Sequence, residues 1–364
     1  MKNPNFSFLL FFFCALYTSC STGSDEQETS TDSKASEIVR LIAQDSATGI
    51  SLPKEIWAIH HDVNDNYWFG SKNNGLYRYD GLKLDHFTTL AGLAGNSVRE
   101  IQEKEGVIYI ETSGGVSKYE NGQFTTLPLD SSKTQDWQLS ANDLWFSCNA
   151  FAKDVYRLNG DVLQLLQLPR QDLTGALGLS ADDVAGNFGY NEYSVFGVEK
   201  DDHGNLWLGT FTACAFMYNG EKFTWFGETE LSTLPDGRVP GVRAMPMDKD
   251  GNYWLSNIKH KYQLNPDGSY TKLPGIDLSK HDVNIGLPYF MSSVRDQKGN
   301  LWMVTYGDGI WKWDGEHLDQ TFLEKNGKEV LLICIHEDRD GVLWLGTDTN
   351  GVWKMENGEW FQWE

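Results

Sequence analysis

Cysteine and proline are scarce in this sequence, and basic residues are outnumbered by acidic ones. The 364 residues include five Cys and ten Pro, with 30 basic and 51 acidic residues and a formal net charge of −21. So acidic a surface repels phosphate backbones, which argues against a nucleic-acid partner. Apart from Cys14 and Cys20 near the N-terminus, an odd number of thiols remains, Cys148, Cys214 and Cys334. We therefore expect buried free thiols and no disulfide framework.

Long apolar runs are also absent, except near the N-terminus. Lys2 is followed by an apolar run from Phe6 to Tyr17, and the small residues Thr18–Ser19 precede Cys20. This pattern predicts a secretory signal peptide over residues 1–19, too short to serve comfortably as a permanent membrane span.

The end of this segment resembles the lipobox of bacterial lipoproteins, which implies that Cys20 becomes the lipidated first residue. Tyr17 departs from the aliphatic residue usual there, and ordinary cleavage beside an incidental Cys is the alternative. Residues 20–50 are mostly polar and acidic, which predicts a flexible tether. The tether resembles the acidic signal by which some Bacteroidota lipoproteins reach the outer surface. We expect an outer membrane lipoprotein, periplasmic or surface-exposed.

Tryptophan and glycine, in contrast, are abundant, with 14 Trp and 36 Gly. The stretch "HGNLWLGT" at residues 203–210 returns as "DGVLWLGT" at residues 340–347. Five further copies align with these two and give seven anchor residues: Trp68, Tyr109, Trp145, Trp207, Trp254, Trp302 and Trp344. The anchors are 41, 36, 62, 47, 48 and 42 residues apart, and the longest interval contains an insertion, Pro169–Tyr193. Such a period indicates a repeat architecture.

Each copy has the pattern of four antiparallel strands. An apolar run such as "EIWAIHHD" at residues 55–62 precedes the anchor, and a second signature such as "GLYRYDG" at residues 75–81 follows and ends in a hairpin turn. A fourth strand comes next, as in "KFTWF" at residues 222–226. Seven units of about 45 residues predict an all-β fold, a seven-bladed β-propeller over residues 51–364.

The repeated residues are best explained by the fold. Each anchor lies in a predicted strand, where neighbouring residues point to the opposite face of the sheet. We therefore expect the anchors to fill the space between blades, with ligand stacking as the alternative. An acid stands six residues before the Trp in five copies: Asp62, Asp201, Asp248, Asp296 and Asp338. We expect each to accept backbone N–H groups in an Asx-type turn. A calcium loop is the alternative, but one carboxylate per blade would lie far from the others.

Three motifs together resemble the two-component regulator propeller repeat. They are "GLAGNSV" at residues 92–98, "GNLWLGT" at residues 204–210 and "GLYRYDG", with "GLP" at residues 286–288 as a further piece. The resemblance covers residues from about 51 to 364, although the second, third and fifth copies are degenerate. Such propellers form the extracytoplasmic sensor half of hybrid histidine kinases, many of which respond to polysaccharide fragments. The sequence contains no kinase or DNA-binding region, so the resemblance implies a sensor-like role without signalling catalysis.

No pattern predicts a catalytic residue, a metal site or a cofactor. The eight His are scattered, and no zinc-ligand spacing, nucleophile elbow or phosphate loop occurs. Some propellers are nevertheless lyases or hydrolases with acids and His at the ring centre, so an enzyme acting on an extracellular glycan or peptide stays the alternative.

A binding site is predicted on one face of the propeller. The loops between second and third strands, and the connections between blades, gather there around the central channel. Eleven residues in these loops are candidate ligand contacts: Arg99, Tyr193, Phe211, Arg243, Lys259, His260, Tyr289, Tyr306, Asp308, Asp348 and Asn350. Each taken alone is also consistent with a solvated loop residue. We expect a membrane-anchored extracytoplasmic binding or scaffold propeller whose partner is a glycan, a peptide or a protein.

Overall fold

The computed structural model describes residues 50–134, 137–147, 154–180, 191–232, 241–281 and 289–363. The predicted signal peptide, Cys20, nearly all of the tether, Cys148 and the "GLP" segment lie outside these residues, as does part of the insertion. No helix in the described ranges is long and apolar enough to cross a bilayer.

The first half of the chain forms three four-stranded sheets, blades 1 to 3. Blade 1 contains β1 Ile56–His61, β2 Tyr67–Ser71, β3 Leu76–Tyr79 and β4 Leu84–Phe87. Blade 2 contains β5 Val98–Lys104, β6 Val107–Thr112, β7 Gly115–Glu120 and β8 Gln123–Thr126. Blade 3 contains β9 Leu129–Thr134, β10 Trp145–Phe146, β11 Val155–Asn159 and β12 Val162–Leu166.

The second half forms blades 4 to 6 with a two-stranded unit between blades 4 and 5. Blade 4 contains β13 Val195–Lys200, β14 Leu206–Thr210, β15 Ala215–Tyr218 and β16 Phe223–Phe226. The two-stranded unit contains β17 His260–Leu264 and β18 Tyr270–Pro274. Blade 5 contains β19 Phe290–Arg295, β20 Leu301–Thr305, β21 Ile310–Trp313 and β22 Leu318–Thr321. After a small hairpin of β23 Glu324–Lys325 and β24 Lys328–Glu329, blade 6 contains β25 Leu332–Glu337, β26 Leu343–Thr347, β27 Val352–Glu356 and β28 Glu359–Trp363.

In the part of the chain that the structure describes, helical structure is confined to short connections. They are the helices α1 Leu173–Leu177 and α2 Thr229–Ser232 and the 3-10 turns Thr89–Ala91 and Leu278–Lys280.

The prediction of an all-β propeller with four-stranded antiparallel blades is confirmed, but the number seven is wrong. The described residues form six four-stranded sheets. The fifth sequence copy folds as the two-stranded unit, to which Met247 and Tyr253 are joined only through isolated bridges.

A proline explains why the fifth copy lacks a regular inner strand. The Pro246 carbonyl accepts the Trp254 N–H at 2.9 Å, but proline has no N–H with which to return the second hydrogen bond of the ladder. The neighbouring Met245 N–H donates instead to the Glu199 carboxylate at 3.1 Å. The inner ladder of this copy is therefore interrupted.

Blade 3 departs from the predicted strand order. β9 pairs in parallel with β12, so the order is β10-β11-β12-β9 and β10 is the innermost strand of this sheet. The Trp145 carbonyl accepts Gln102 Nε2 at 2.8 Å, and the Ser147 N–H donates to the Glu111 carboxylate at 3.0 Å. Two side chains of blade 2 thus bind backbone groups on the edge of blade 3 to which an additional inner strand would otherwise hydrogen-bond.

The repeated Asp residues form the predicted turns and also bind the anchor Trp. Asp338 Oδ1 accepts the N–H groups of Asp340 and Val342 at 3.0 and 2.8 Å, and its Oδ2 accepts the Trp344 indole N–H at 2.7 Å. The same indole bond occurs in four other copies, Trp68–Asp62, Trp207–Asp201, Trp254–Asp248 and Trp302–Asp296, at 2.7 to 3.0 Å. These carboxylates are therefore engaged inside their own blades.

The core lies between adjacent sheets, where the anchor residues pack as predicted. The Trp207 ring lies 4.2 Å from that of Tyr253 in the next repeat, and both are buried. Cys214 is buried and in no disulfide, and its thiol donates to the Glu228 carbonyl oxygen at 3.2 Å. Cys334 is also in no disulfide. Burial raises the pKa of the Cys334 thiol to about 12.

The last blade closes the ring against the first. The Gly351 N–H donates to the Lys54 carbonyl at 2.7 Å, and the Tyr67 hydroxyl donates to Asp338 at 2.8 Å. All four strands of blade 6 come from residues 332–363, so closure uses side-by-side packing of blades 6 and 1.

Candidate ligand site at the channel mouth

A β-bulge recurs at the second residue of the inner strands. The pairing of inner and second strands skips one residue in five blades, and the skipped residues are Trp57, Arg99, Phe196, Met291 and Ile333. Arg243 occupies the same place in the fifth copy, five residues before its turn Asp. All six are exposed or half-buried. Bulges re-aim side chains at sheet rims, so these residues face the channel mouth.

Four side chains lie around Asp348, and together with it they come from four blades. We call these five residues the Asp348 cluster: Trp57, Lys72, Arg99, Tyr306 and Asp348. Asp348 Oδ1 accepts Lys72 Nζ at 3.0 Å and Trp57 Nε1 at 3.3 Å, while its Oδ2 accepts the Tyr306 hydroxyl at 2.9 Å. The Arg99 guanidinium lies 4.3 Å from the Trp57 ring centroid, a cation–π contact. Burial, followed by the Asp348 carboxylate, raises the Tyr306 pKa above its usual value.

A second group surrounds Arg243, and we call it the Arg243 pocket: Phe196, Phe211, Arg243, Ser256 and Tyr289. The Arg243 guanidinium lies 4.5 Å from the Phe196 ring centroid, and Phe211 packs edge-on against Phe196 at 5.5 Å. The Ser256 hydroxyl accepts the Arg243 backbone N–H at 3.1 Å. Burial raises the pKa of the Tyr289 hydroxyl to about 12, although the nearby Arg243 guanidinium acts in the opposite direction.

Blade 5 connects the two groups. Phe290 pairs with Thr305 across β19 and β20, so Tyr289 and Tyr306 stand next to each other at the ends of these strands. The Asp348 cluster and the Arg243 pocket are therefore parts of one rim. Six of the eleven predicted residues lie in it: Arg99, Phe211, Arg243, Tyr289, Tyr306 and Asp348.

Two further predicted residues take part in loop structure through their backbone N–H groups. The Asp308 N–H donates to Thr305 Oγ1, and the Asn350 N–H donates to Thr347 Oγ1, each at 2.8 Å. These bonds close the turns that carry Tyr306 and Asp348, so Asp308 and Asn350 act as positioning residues.

Tyr193 is placed inside the fold. It is 3% exposed, its ring stacks under the Arg170 guanidinium at 4.2 Å, and its hydroxyl accepts the Gln171 N–H at 2.6 Å. Its contacts anchor the start of the insertion, and it is not brought to the rim.

Lys259 and His260 belong to a separate charged group. His260 Nδ1 lies 3.1 Å from a Glu230 carboxylate oxygen, and Lys272 Nζ lies 2.6 Å from the same carboxylate. Burial lowers the His260 pKa. Lys259 is exposed, and its backbone N–H donates to the Asn257 side chain at 2.9 Å.

Sequence reasoning missed Trp57, Lys72, Phe196 and Ser256. A positional signal existed for two of them, because Trp57 and Phe196 stand five residues before a turn Asp, as Arg243 does. Lys72 and Ser256 have no such signal, since only ring closure and the neighbouring repeat bring them to the rim.

One pair of titratable groups lies on inner strands. His60 Nε2 is 3.3 Å from the Glu103 carboxylate, and the His336 ring lies 6.1 Å from that of His60. Burial lowers the His60 pKa and brings the His336 pKa to about 4, so both imidazoles are neutral at pH 7. In the described residues, neither a Tyr nor an Arg side chain hydrogen-bonds to His60 or Glu103, so the His, acid and Tyr or Arg constellation expected of a lyase is not assembled here.

One group in the described ranges has the composition of a metal site, His61, Asp338 and Asp340. Asp338 already accepts hydrogen bonds from Tyr67, Trp344 and two backbone N–H groups. The group is thus part of the ring closure and turn structure.

Comparison with known families identifies the repeat. The model of the two component regulator propeller matches residues 325–349, which contain the last anchor, Trp344. Within this β-propeller, the stretch that contains Trp344 is thus similar to the two component regulator propeller repeat. Comparison with curated proteins finds no match.

Solved structures with this fold include extracellular domains of signalling systems. The extracellular domain of a proposed hybrid two component system from B. thetaiotaomicron has a TM-score of 0.55 and 17% identity, covering 82% of this chain and 39% of that one. The extracellular domain of a proposed one component system from the same organism has a TM-score of 0.53 and 18% identity, covering 84% of this chain and 38% of that one. A streptogramin B lyase has a TM-score of 0.54 and 13% identity, covering 83% of this chain and 94% of that one. At such identities the likeness concerns the fold, and the chain spans about two fifths of the two extracellular domains.

Proposed function

We propose that this protein is a membrane-anchored extracytoplasmic propeller that binds a glycan, a peptide or a partner protein at its channel mouth. The observation that carries the proposal is the Asp348 cluster, in which Trp57 and Lys72 of blade 1 and Tyr306 of blade 5 donate to the Asp348 carboxylate of blade 6. Arg99 of blade 2 joins the cluster by stacking on Trp57. Blade packing does not require this convergence, because the anchor Trp residues already fill the spaces between sheets. Convergent polar and aromatic groups at a concave mouth are typical of binding sites.

The extracytoplasmic location is supported from two directions. The N-terminal pattern that ends at Cys20 resembles a lipoprotein signal, and the fold matches domains named as extracellular. Binding is favoured over lyase or hydrolase activity because the one His–carboxylate pair described on the inner strands, His60 and Glu103, lacks a hydrogen-bonded Tyr or Arg.

The proposal is tested with the full chain, purified in detergent, on glycan and peptide arrays. We expect Trp57→Ala to lower the affinity of the bound array member at least roughly tenfold, because aromatic anchors dominate such sites. Phe361→Ala is the matched control, since Phe361 is an exposed aromatic side chain, 48% accessible, on the outermost strand of blade 6.

If Trp57→Ala leaves the affinity unchanged, or if Phe361→Ala lowers it equally, the rim is not the binding site. Absence of any bound glycan, peptide or protein would contradict the binding function itself.

A further inference from the structure

Two polar groups in the Arg243 pocket are buried and lack a hydrogen-bond acceptor. Within the described part of the chain, Arg243 Nε and the Tyr289 O–H find no hydrogen-bond acceptor. The Ser256 hydroxyl and the Arg243 guanidinium do lie beside the Tyr289 hydroxyl and act to lower its pKa, as donors to its oxygen would. Leaving a buried donor unpaired costs free energy, so native structures seldom retain such groups without a reason. A guanidinium N–H can only donate, and the phenol carries one O–H. The group that both side chains lack is therefore an acceptor.

The missing acceptor carries negative charge. Four other Arg side chains form ion pairs with acids inside the protein, Arg78–Asp85, Arg170–Asp154, Arg295–Asp202 and Arg339–Asp65. Arg243 has no ion pair among the described residues, although the chain contains 51 acidic residues. Its guanidinium is held at a half-buried rim position, where an uncompensated cation is costly.

The stacked geometry favours a planar anion. Phe196 covers one side of the Arg243 guanidinium at 4.5 Å, which leaves the edge with its N–H groups as the binding direction. A carboxylate matches the planar guanidinium through parallel N–H···O bonds, and its second oxygen offers lone pairs to a neighbouring O–H.

We propose that the Arg243 pocket binds a carboxylate of the ligand, with the Arg243 guanidinium and the Tyr289 hydroxyl as donors. This inference rests on the proposed function, since it names the chemistry that the rim recognises. It places the charged group of the ligand on the blade 4 and blade 5 side of the mouth. The Asp348 cluster, whose carboxylate is already paired, contributes the aromatic surface of Trp57.

The chemistry is tested with sodium benzoate and its neutral analogue benzamide, titrated into the full chain in detergent and followed by ligand-observed NMR. We expect benzoate to bind roughly ten to a hundred times more tightly than benzamide, the range of one or two charge-assisted hydrogen bonds. Tri-galacturonic acid and tri-glutamate then distinguish a glycan carboxylate from a peptide carboxylate.

Three variants locate the site. Arg243→Gln should bring the ratio of the benzoate affinity to the benzamide affinity close to one. Tyr289→Phe should lower this ratio severalfold. Arg295→Gln is the matched control, because it also removes one guanidinium, yet Arg295 pairs with Asp202 at the end of β19 that lies away from Tyr289. We expect it to keep the wild-type ratio.

The stability of the free protein separates binding from a structural role. Since the Tyr289 O–H has no acceptor among the described residues, Tyr289→Phe should leave the thermal midpoint of unliganded protein unchanged or higher. A lower midpoint would assign the hydroxyl a structural function and overturn its role in binding.

The outcomes distinguish this inference from the proposed function. If benzoate and benzamide bind equally, or if Arg243→Gln keeps the charge preference, the carboxylate site is overturned while array binding that depends on Trp57 still supports the rim. If the wild type and Arg295→Gln bind benzoate more tightly than benzamide, and Arg243→Gln does not, the carboxylate site is supported even where no array member is found.

Discussion

The Tyr67 hydroxyl donates a hydrogen bond of 2.8 Å to Asp338, and so links the first blade to the last. Asp338 also accepts the Trp344 indole N–H within its own blade. Tyr253 makes the equivalent bond to Asp201, at 2.5 Å, between neighbouring repeats inside the chain. The ring is thus closed by the same contact that joins two of its internal units.

Removing this hydroxyl should loosen ring closure. We expect Tyr67→Phe to lower the free energy of unfolding by about 1–2 kcal/mol, because the hydrogen bond is charge-assisted and partly buried. Tyr79→Phe is the control, since the Tyr79 hydroxyl donates to the Gly81 carbonyl at an exposed position in the same blade. Urea denaturation measures both, and equal effects would contradict a special role for the closure contact.

Two glycines of blade 1 distinguish backbone strain from lack of space. Gly75 and Gly81 both have positive φ, 82° and 90°. A Cβ added to Gly75 would lie 2.1 Å from the Phe87 carbonyl oxygen, whereas a Cβ added to Gly81 would have no neighbouring atom within 4 Å. We expect Gly81→Ala to cost about 1–2 kcal/mol, and Gly75→Ala about 2–5 kcal/mol because overpacking adds to the strain. Thermal unfolding monitored by circular dichroism would show the difference, and similar losses would disprove the clash.

Glu100 should make stability depend on pH above the acidic range. Burial, and then the charge of Glu111, raises the Glu100 pKa to about 8 from 4.5. The unfolded chain releases this proton near pH 4.5 and the folded protein near pH 8, so this contribution to stability is complete below pH 4.5 and is lost as the pH rises to about 8.

We therefore expect Glu100→Gln to be more stable than the wild type at pH 8, with a smaller decline between pH 4.5 and 8. Denaturant midpoints across this range measure the effect. Glu359→Gln serves as the control because Glu359 is exposed at the edge of β28. If Glu100→Gln leaves the dependence of the denaturant midpoint on pH unchanged, the folded protein does not hold a proton on Glu100 in this range.

The lipobox resemblance predicts a membrane anchor at Cys20. We expect Cys20→Ser to move the protein from the membrane fraction to the soluble fraction and to abolish labelling by radioactive palmitate, since the resemblance assigns lipid attachment to this thiol. Cys14→Ser, within the predicted signal peptide, should leave both unchanged. Palmitate labelling that persists in Cys20→Ser would refute the lipobox resemblance.

The sequence alone determined the repeating turn and its Trp. Asp338, Gly341 and Trp344 lie within six residues of one another, so local hydrogen bonding and glycine's access to positive φ specify this unit wherever it recurs. The same local signals overestimated the number of blades, because Pro246 withholds one ladder hydrogen bond without altering the turn that follows it. They also could not place β9, whose partner β12 follows nearly thirty residues later along the chain.

Only the tertiary structure decided which residues form the proposed ligand site. Trp57 and Asp348 are 291 residues apart, and they meet because the ring closes blade 6 onto blade 1. The period marks the bulge position of Trp57, Phe196 and Arg243, but the repeat imposes no residue type there or at the loop tips, so the pattern does not say which side chains meet. Their spatial relationship depends on how the blades pack around the channel, and that packing is a property of the whole ring.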